Sequence, residues 1–364
     1  MLQKINKKRI FFYIITLAVI VIVYIKIDEL NLIADIFKES NYFWLFAILV
    51  SQTFFYFFLT LNYQYVLRLK NSHLSIKDLF PMSIVVQFIN QVLPSGGLSG
   101  QAFFIHYLRR WRIPVFEAIG RAMLEVMTLW MGYGTFVVIG IFLMARRGMF
   151  STHPEALIIV YVFLALAIIL VSIFFLTQRK SAGENRITKW LGSRFNNYIG
   201  KNKSSDYVGS FFDQFKTSLN IQILKKKGKT FWLAYFWQNM SLLANTFTVF
   251  FAARAIGIEI SFEVAFISFA LARFTASIAA IPGGIGVYET ISTLALIGAG
   301  LDKGAALGIS LITRAFTFWL PIPIGWFIYR WSDKKITESI NKGEFGDEHG
   351  KTAVTPVNTT PSTS

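Results

Sequence analysis

The sequence predicts an all-α polytopic membrane protein, with about six full spans and two broken or re-entrant helical hairpins arranged as an inverted repeat, both termini cytoplasmic. Three observations lead there. The 364 residues are 54% hydrophobic with a mean hydropathy of +0.51, too apolar for a soluble domain. The apolar residues fall in runs of about 20, the length a helix needs to cross a bilayer. Two of the apolar regions are interrupted by proline and glycine, at Leu93–Gln101 and at Ile281–Glu289.

The spans follow in order. A first run at 10–27 comes after Lys4, Lys7, Lys8 and Arg9; no small-residue cleavage site follows it, so it is expected to be retained as a span. Further spans are expected at 42–66, 118–144, 156–177, 231–256 and 304–329. The regions 79–107 and 262–301 carry the breaks, and non-helical backbone at membrane depth survives only where protein or trapped water satisfies it. Charge sets the orientation. Loop 28–41, with Asp28, Glu29, Asp35 and Glu39, is expected outside; loops 67–78 and 108–117, with Arg68, Lys70, Lys77 and with Arg109, Arg110, Arg112, inside. The apolar segment between those two loops must then enter and leave on one side. Segment 145–155 is expected outside, although Arg146 and Arg147 run against that. The polar stretch 178–230 holds twelve Lys/Arg against three acids and is expected to be a cytoplasmic loop, with an amphipathic helix carrying Phe211, Phe212, Phe215, Leu219 and Ile223 on the membrane surface. The membrane domain is expected over 1–340 and a disordered tail over 341–364.

Composition excludes several functions. With no cysteine there is no disulfide, thiol nucleophile or Cys-ligated metal. The four histidines, at 73, 106, 153 and 349, lack ligand spacing, so neither a metal nor another cofactor is expected. The net charge of +16 reads as basic loops facing anionic lipid rather than as a nucleic-acid surface. No G-x-x-x-x-G-K-[ST] loop is present, so ATP hydrolysis is not expected.

The two breaks are related. Pro94 is followed downstream by Arg121, and Pro282 by Arg314; by the charge argument the unit 79–144 begins inside and the unit 262–329 outside. Units inserted in opposite senses mark inverted-repeat transporters. An ion within hydrocarbon costs about 2.5–3.5 kcal/mol on insertion scales, so intramembrane ions are candidates for function. Arg121 and Glu125, four residues apart, share a helix face and can pair. Arg254, near a span end, is expected to snorkel. Arg273 and Ser277 share a face approaching Pro282. Glu289 is placed to stabilise a helix start, to carry a proton, or to balance Arg314 or Arg273. Gln87, Asn90, Gln91 and Pro94 form one polar stripe, readable as helix–helix glue or as a head-group path. Gly96, Gly97, Gly283, Gly284 and Gly286 are expected to free backbone amides for a phosphate head group beside the arginines. Glu289 stands where the first motif has only Gln101, so the second half is expected to be the more chemically active.

With these motifs the chain resembles the flippase-like transmembrane family, the integral-membrane domain found in lysylphosphatidylglycerol synthases and in stand-alone bacterial and archaeal proteins. The resemblance covers about residues 10–330 and is carried by Asn90–Gln101, Arg121–Glu125, Ile281–Glu289 and Arg314–Trp319. The first motif departs at Gln101, where relatives often have an acid, and at Gly120–Arg121, where they often have Glu-Arg. The resemblance implies movement of an anionic, aminoacyl or polyprenyl lipid between the leaflets of a bacterial or archaeal cell membrane. The partner would be a membrane phospholipid or isoprenoid lipid; self-association into a homo-oligomer stays open. No synthase domain follows the last span, so transferase activity is not expected. Two other readings stand beside it: a glycosyltransferase-like enzyme acting on polyprenyl-phosphate-linked substrates through Asp28–Glu29, and a scaffold recruiting enzymes through the 178–230 loop.

Overall fold

A chain this apolar must satisfy its backbone polar groups internally, and helices do so within each segment. The computed structural model describes residues 16–69 (except 18), 74–93, 97–111, 113–149, 227–279 and 281–341, and all regular structure among them is helical. The elements are α1 (Ile27–Glu39), α2 (Tyr42–Leu69), α3 (Ile76–Val92), α4 (Leu98–Arg110), α5 (Val115–Arg146), α6 (Gly228–Ala255), α7 (Phe262–Ile278), a 3-10 turn (Pro282–Gly284), α8 (Val287–Gly298), α9 (Lys303–Arg314), a π-helical turn (Ala315–Trp319) and α10 (Pro321–Asn341). The expected span 156–177, nearly all of the 178–230 loop, and residues 342–364 lie outside the described residues.

Among the described residues, three stretches are long and apolar enough to cross a membrane: Tyr42–Leu69, Glu117–Arg146 and Lys303–Trp331. They meet the expected spans 42–66, 118–144 and 304–329. The expected span 231–256 falls in α6, which at 28 residues equals α2 in length. Its polar residues, among them Gln238, Asn239, Ser241, Asn245, Thr246 and Thr248, dilute its hydropathy. Expected loop 28–41 is instead mostly helix α1, because Ile33, Ile36 and Phe37 recur on one face and pack onto the core, Phe37 stacking on Phe316 at 5.6 Å. Asn341, the first residue of the expected tail, still belongs to α10.

A repeat of element lengths is visible, and its units begin earlier than the expected 79–144 and 262–329, at Tyr42 and Gly228. Helices of 28, 17 and 13 residues (α2, α3, α4) recur as helices of 28, 17 and 12 (α6, α7, α8). Local chemistry recurs too. Ser75 caps α3 by accepting from the Asp78 amide, and Ser261 caps α7 by accepting from the Val264 amide, each with an acid in the first turn. Glycines in left-handed conformation, Gly97 (φ 93) and Gly286 (φ 82), start α4 and α8.

α2 and α6, the leading helices of the two units, pack antiparallel along their length. The Asn41 amide donates to the Ala255 carbonyl at 2.8 Å at one end, and Lys227 Nζ to the Arg68 carbonyl at 3.1 Å at the other. Between them runs a buried polar seam: Ser51 Oγ to the Ala244 carbonyl (2.5 Å), Gln52 Nε2 to Asn245 Oδ1 (2.9 Å) and Thr248 Oγ1 (2.8 Å), and Asn62 Nδ2 to the Ala234 carbonyl (2.9 Å). Lipid is as apolar as leucine, so such bonds and close packing hold helices together where hydrophobicity cannot. The units also exchange partners: α3 packs on α10, and α7 on α5. Gly325 on α10 makes the first contact possible, since a Cβ there would lie 2.3 Å from Phe88 Cβ.

Arg146 and Arg147, which ran against the charge argument, grip Glu263 at the start of α7 at 2.7 and 3.1 Å, and Arg147 also donates to Ser261 Oγ at 2.6 Å. One acid answers two arginines, so a net positive charge remains at this end of α5 and still runs against the charge argument.

Candidate functional site: a charged break in each repeat

The second break is built around Arg314, the last residue of α9, which is 2% exposed. Its Nε donates to Glu289 Oε1 at 2.6 Å and its Nη2 to the Gly283 carbonyl at 3.0 Å. The guanidinium carbon lies 4.3 Å from the Phe318 ring centre and 5.2 Å from that of Tyr288. The other oxygen of Glu289 accepts the Gly286 amide at 2.6 Å, closing the first turn of α8. Glu289 therefore fills two of the expected roles together, helix-start acid and counter-charge of Arg314.

Backbone geometry brings these groups together. Pro282 opens the turn after an extended Ile281, and Gly283 takes φ 54. A Cβ at Gly283 would sit 2.2 Å from Phe318, and one at Gly284 2.5 Å from Ala276 Cβ, so glycine alone lets the turn press against α7 and the π-helical turn. The π-helical turn itself, Ala315–Trp319, starts directly after Arg314 and interrupts the last apolar stretch.

The glycine amides are less available than the sequence suggests. Those of Gly284, Ile285 and Gly286 donate to the Ile281 carbonyl, the Pro282 carbonyl and Glu289. In the first unit the Gly100 amide donates to Asn90 Oδ1 at 2.8 Å. These amides are therefore already bonded within the protein.

The first break follows the same plan with other residues. Pro94 and Gly96 lie outside the described residues; Gly97 starts α4. Arg121 is 1% exposed, yet its salt bridge runs backward to Glu117 at 3.1 Å rather than forward to Glu125. This corrects the expected Arg121–Glu125 pair: both acids stand four residues from the arginine, and tertiary packing decides between them. Glu125, 2% exposed, is taken by Gln101, whose Nε2 donates to Glu125 Oε2. The acid missing from position 101 thus arrives from α5.

The polar stripe of α3 divides. Asn90 turns to its own break, while Gln91 Nε2 crosses to the other unit and donates to the Thr317 carbonyl in the π-helical turn at 2.8 Å. Gln87 is half-buried on α3. Arg273 does not join the Arg314 cluster through a bond; its Nε donates to Tyr133 of α5 at 3.1 Å, and Ser277 Oγ bonds the Arg273 carbonyl at 2.8 Å. Arg254 pairs with Glu259 at 2.5 Å over the Phe250 ring. Sequence reasoning missed Tyr63, Tyr133 and Tyr288, whose buried phenols stand beside these ions; tyrosine within an apolar run carried the only signal. An open apolar groove of about 440 Å³ lies against the π-helical turn, between Phe37, Leu45, Phe46, Leu49, Phe316 and Leu320.

Comparison with known proteins places the chain. Residues 11–325 match the family described as the lysylphosphatidylglycerol synthase TM region. A UPF0104 membrane protein of Methanothermobacter thermautotrophicus is 22% identical over 272 residues, which cover 73% of this chain and 78% of that protein. A UPF0104 membrane protein of Pyrococcus horikoshii is 27% identical over 82 residues, 22% of this chain and 24% of its own length.

Proposed function

The chain belongs to the lysylphosphatidylglycerol synthase TM region family, and from that premise we propose that it moves an anionic, aminoacyl or polyprenyl lipid between the leaflets of the cell membrane it crosses several times. One observation carries the reading: a buried arginine and a buried carboxylate recur in both halves, Arg314 with Glu289 at the break at Pro282, and Arg121 one turn from Glu125 on α5, where Glu125 is bonded by Gln101 of α4. At about 1.5 Å per residue, the 17-residue α3 and α7 reach roughly 26 Å, short of a hydrocarbon core of about 30 Å. α4 and α8 are shorter still. This favours re-entrant hairpins, and the antiparallel α2 and α6 favour units inverted across the membrane, as in transporters that bind at the midplane.

The chemistry suits a lipid with a charged head. Arginine is the side chain suited to bidentate recognition of phosphate, and a head group would reach Arg121 and Arg314 by displacing Glu117 and Glu289 from them. The groove beside Phe316 offers apolar walls to an acyl or isoprenoid chain. The test is head-group translocation in proteoliposomes carrying fluorescent phosphatidylglycerol, read by quenching from outside. The protein is expected to accelerate loss of the protected inner-leaflet signal, and the combined Arg121→Ala, Glu289→Ala and Arg314→Ala variant to lose the acceleration. Unchanged rates in that variant would remove these residues from the path.

A further inference from the structure

The two units treat their buried carboxylates differently, and we propose that Glu125 is a proton-binding site, taking one proton from water onto its carboxylate to form a neutral acid held by Gln101. Glu289 has a cation, Arg314, in direct contact. Glu125 forms no salt bridge among the described residues, and the only side chain bonded to its carboxylate there is the neutral amide of Gln101.

Among the described residues the surroundings supply no other compensation. Arg121 lies one turn back on α5 and bridges to Glu117. From α2, Tyr63 is within electrostatic reach of Glu125, is 0% exposed, and its hydroxyl has no hydrogen-bond partner. Its ring packs on Phe104 of α4 at 4.8 Å, about one turn beyond Gln101. Asn62, also 0% exposed, bonds Thr128 Oγ1 at 3.0 Å, and that hydroxyl bonds the Glu125 carbonyl at 2.8 Å. From α6, Gln238, which does not ionise, sits against Gly132, seven residues or about 10 Å of helix beyond Glu125. From α7 the cation is Arg273, held by Tyr133, eight residues or about 12 Å of helix beyond Glu125.

A carboxylate buried without a cation carries a desolvation cost of several kcal/mol, which it sheds by accepting a proton. The neighbouring amide serves both states. A carboxamide has a donor end and an acceptor end. Gln101 Nε2 donates to the carboxylate, while Gln101 Oε1 is buried with no partner. Rotation of that amide presents Oε1 to the new O–H of the protonated acid. A metal cation needs a larger set of oxygen ligands, and no group of three His, Asp or Glu side chains suited to a metal occurs among the described residues. The site stands whether or not the chain moves lipid.

The full-length protein in lipid nanodiscs is treated with dicyclohexylcarbodiimide, which adds to protonated carboxyls in apolar surroundings, over a pH series, and adducts are mapped by peptide mass spectrometry. The expected result is an adduct at Glu125 that falls at least tenfold as pH rises, with none at Glu289. Glu125→Gln abolishes it, and Gln101→Leu shifts the midpoint without abolishing it. Should Glu125→Gln not fold, the map of the parent protein decides alone. An unlabelled Glu125 at every pH, labelling independent of pH, or protection by sodium at constant pH would each overturn the proposal.

Discussion

Replacing Arg314 with glutamine leaves Glu289 buried beside a neutral amide, and replacing Glu289 with glutamine leaves Arg314 in the same position. The side chains are 3% and 10% exposed and 2.6 Å apart. Removing one partner of such a pair costs about 3–5 kcal/mol, because the remaining charge stays out of water. Glutamine is the apt replacement at 289, since it still accepts the Gly286 amide as glutamate does at the third position of a helix. Loss of the cap is thereby separated from loss of the charge. Each single variant should lose about 3–5 kcal/mol, whereas the double variant Glu289→Gln/Arg314→Gln should lie within about 2 kcal/mol of the parent, as neutral amides replace the ions. Part of that residue is the Gly283 carbonyl, which loses the Arg314 donor. The nine tryptophans provide the signal for unfolding by sodium dodecyl sulfate in mixed micelles. The coupling energy decides: single costs that add, with coupling below about 0.5 kcal/mol, would show that the pair does not act as a buried unit and would refute the reasoning.

Three further outcomes follow from the packing. Gly283→Ala should cost more than about 2 kcal/mol, from positive φ and a clash 2.2 Å from Phe318, and Gly283→Ala/Phe318→Leu should recover part of it in the same unfolding titration. Gln52→Leu strips the donors from Asn245 and Thr248 at the α2–α6 seam and should cost about 1–2 kcal/mol; a cost indistinguishable from zero would show that the seam does not hold the helices. The chain has no cysteine, so single cysteines report cleanly. Lys77→Cys, at the start of α3, and Glu259→Cys, before α7, should react with a membrane-impermeant maleimide from opposite sides, and reaction from the same side would rule out inverted units.

How much of this was legible before folding depends on the range of each interaction. Leu93–Gln101 and Ile281–Glu289 announce breaks because proline and glycine act on their own backbone. The caps at Ser75 and Ser261 act over the same short range, their hydroxyls accepting from an amide three residues on. Glu289 as a helix-start acid is equally local. The partner of Arg121 was not legible: Glu117 and Glu125 are equivalent by spacing, and Gln101, twenty-four residues from Glu125 in sequence, takes one of them out of contention. The amphipathic α1 was masked by its four acids, which read as an exposed loop while Ile33 and Phe37 faced inward.

Sequence alone determined the helical class, the three long apolar stretches, the two broken regions and the identity of the ions, since each is written in composition or in contacts within about one helical turn. Tertiary structure decided which ion meets which. It set α2 against α6 in antiparallel register, sent Gln91 across to the Thr317 carbonyl, and folded the chain after Arg314 into a π-helical turn. The break at Pro282 thereby received both members of an ion pair, and the break near Gly97 received a carboxylate with an amide for company. Periodicity fixes the face a residue occupies on its own helix; the helix that arrives opposite, and the charge it brings, is fixed only when the two repeats pack together.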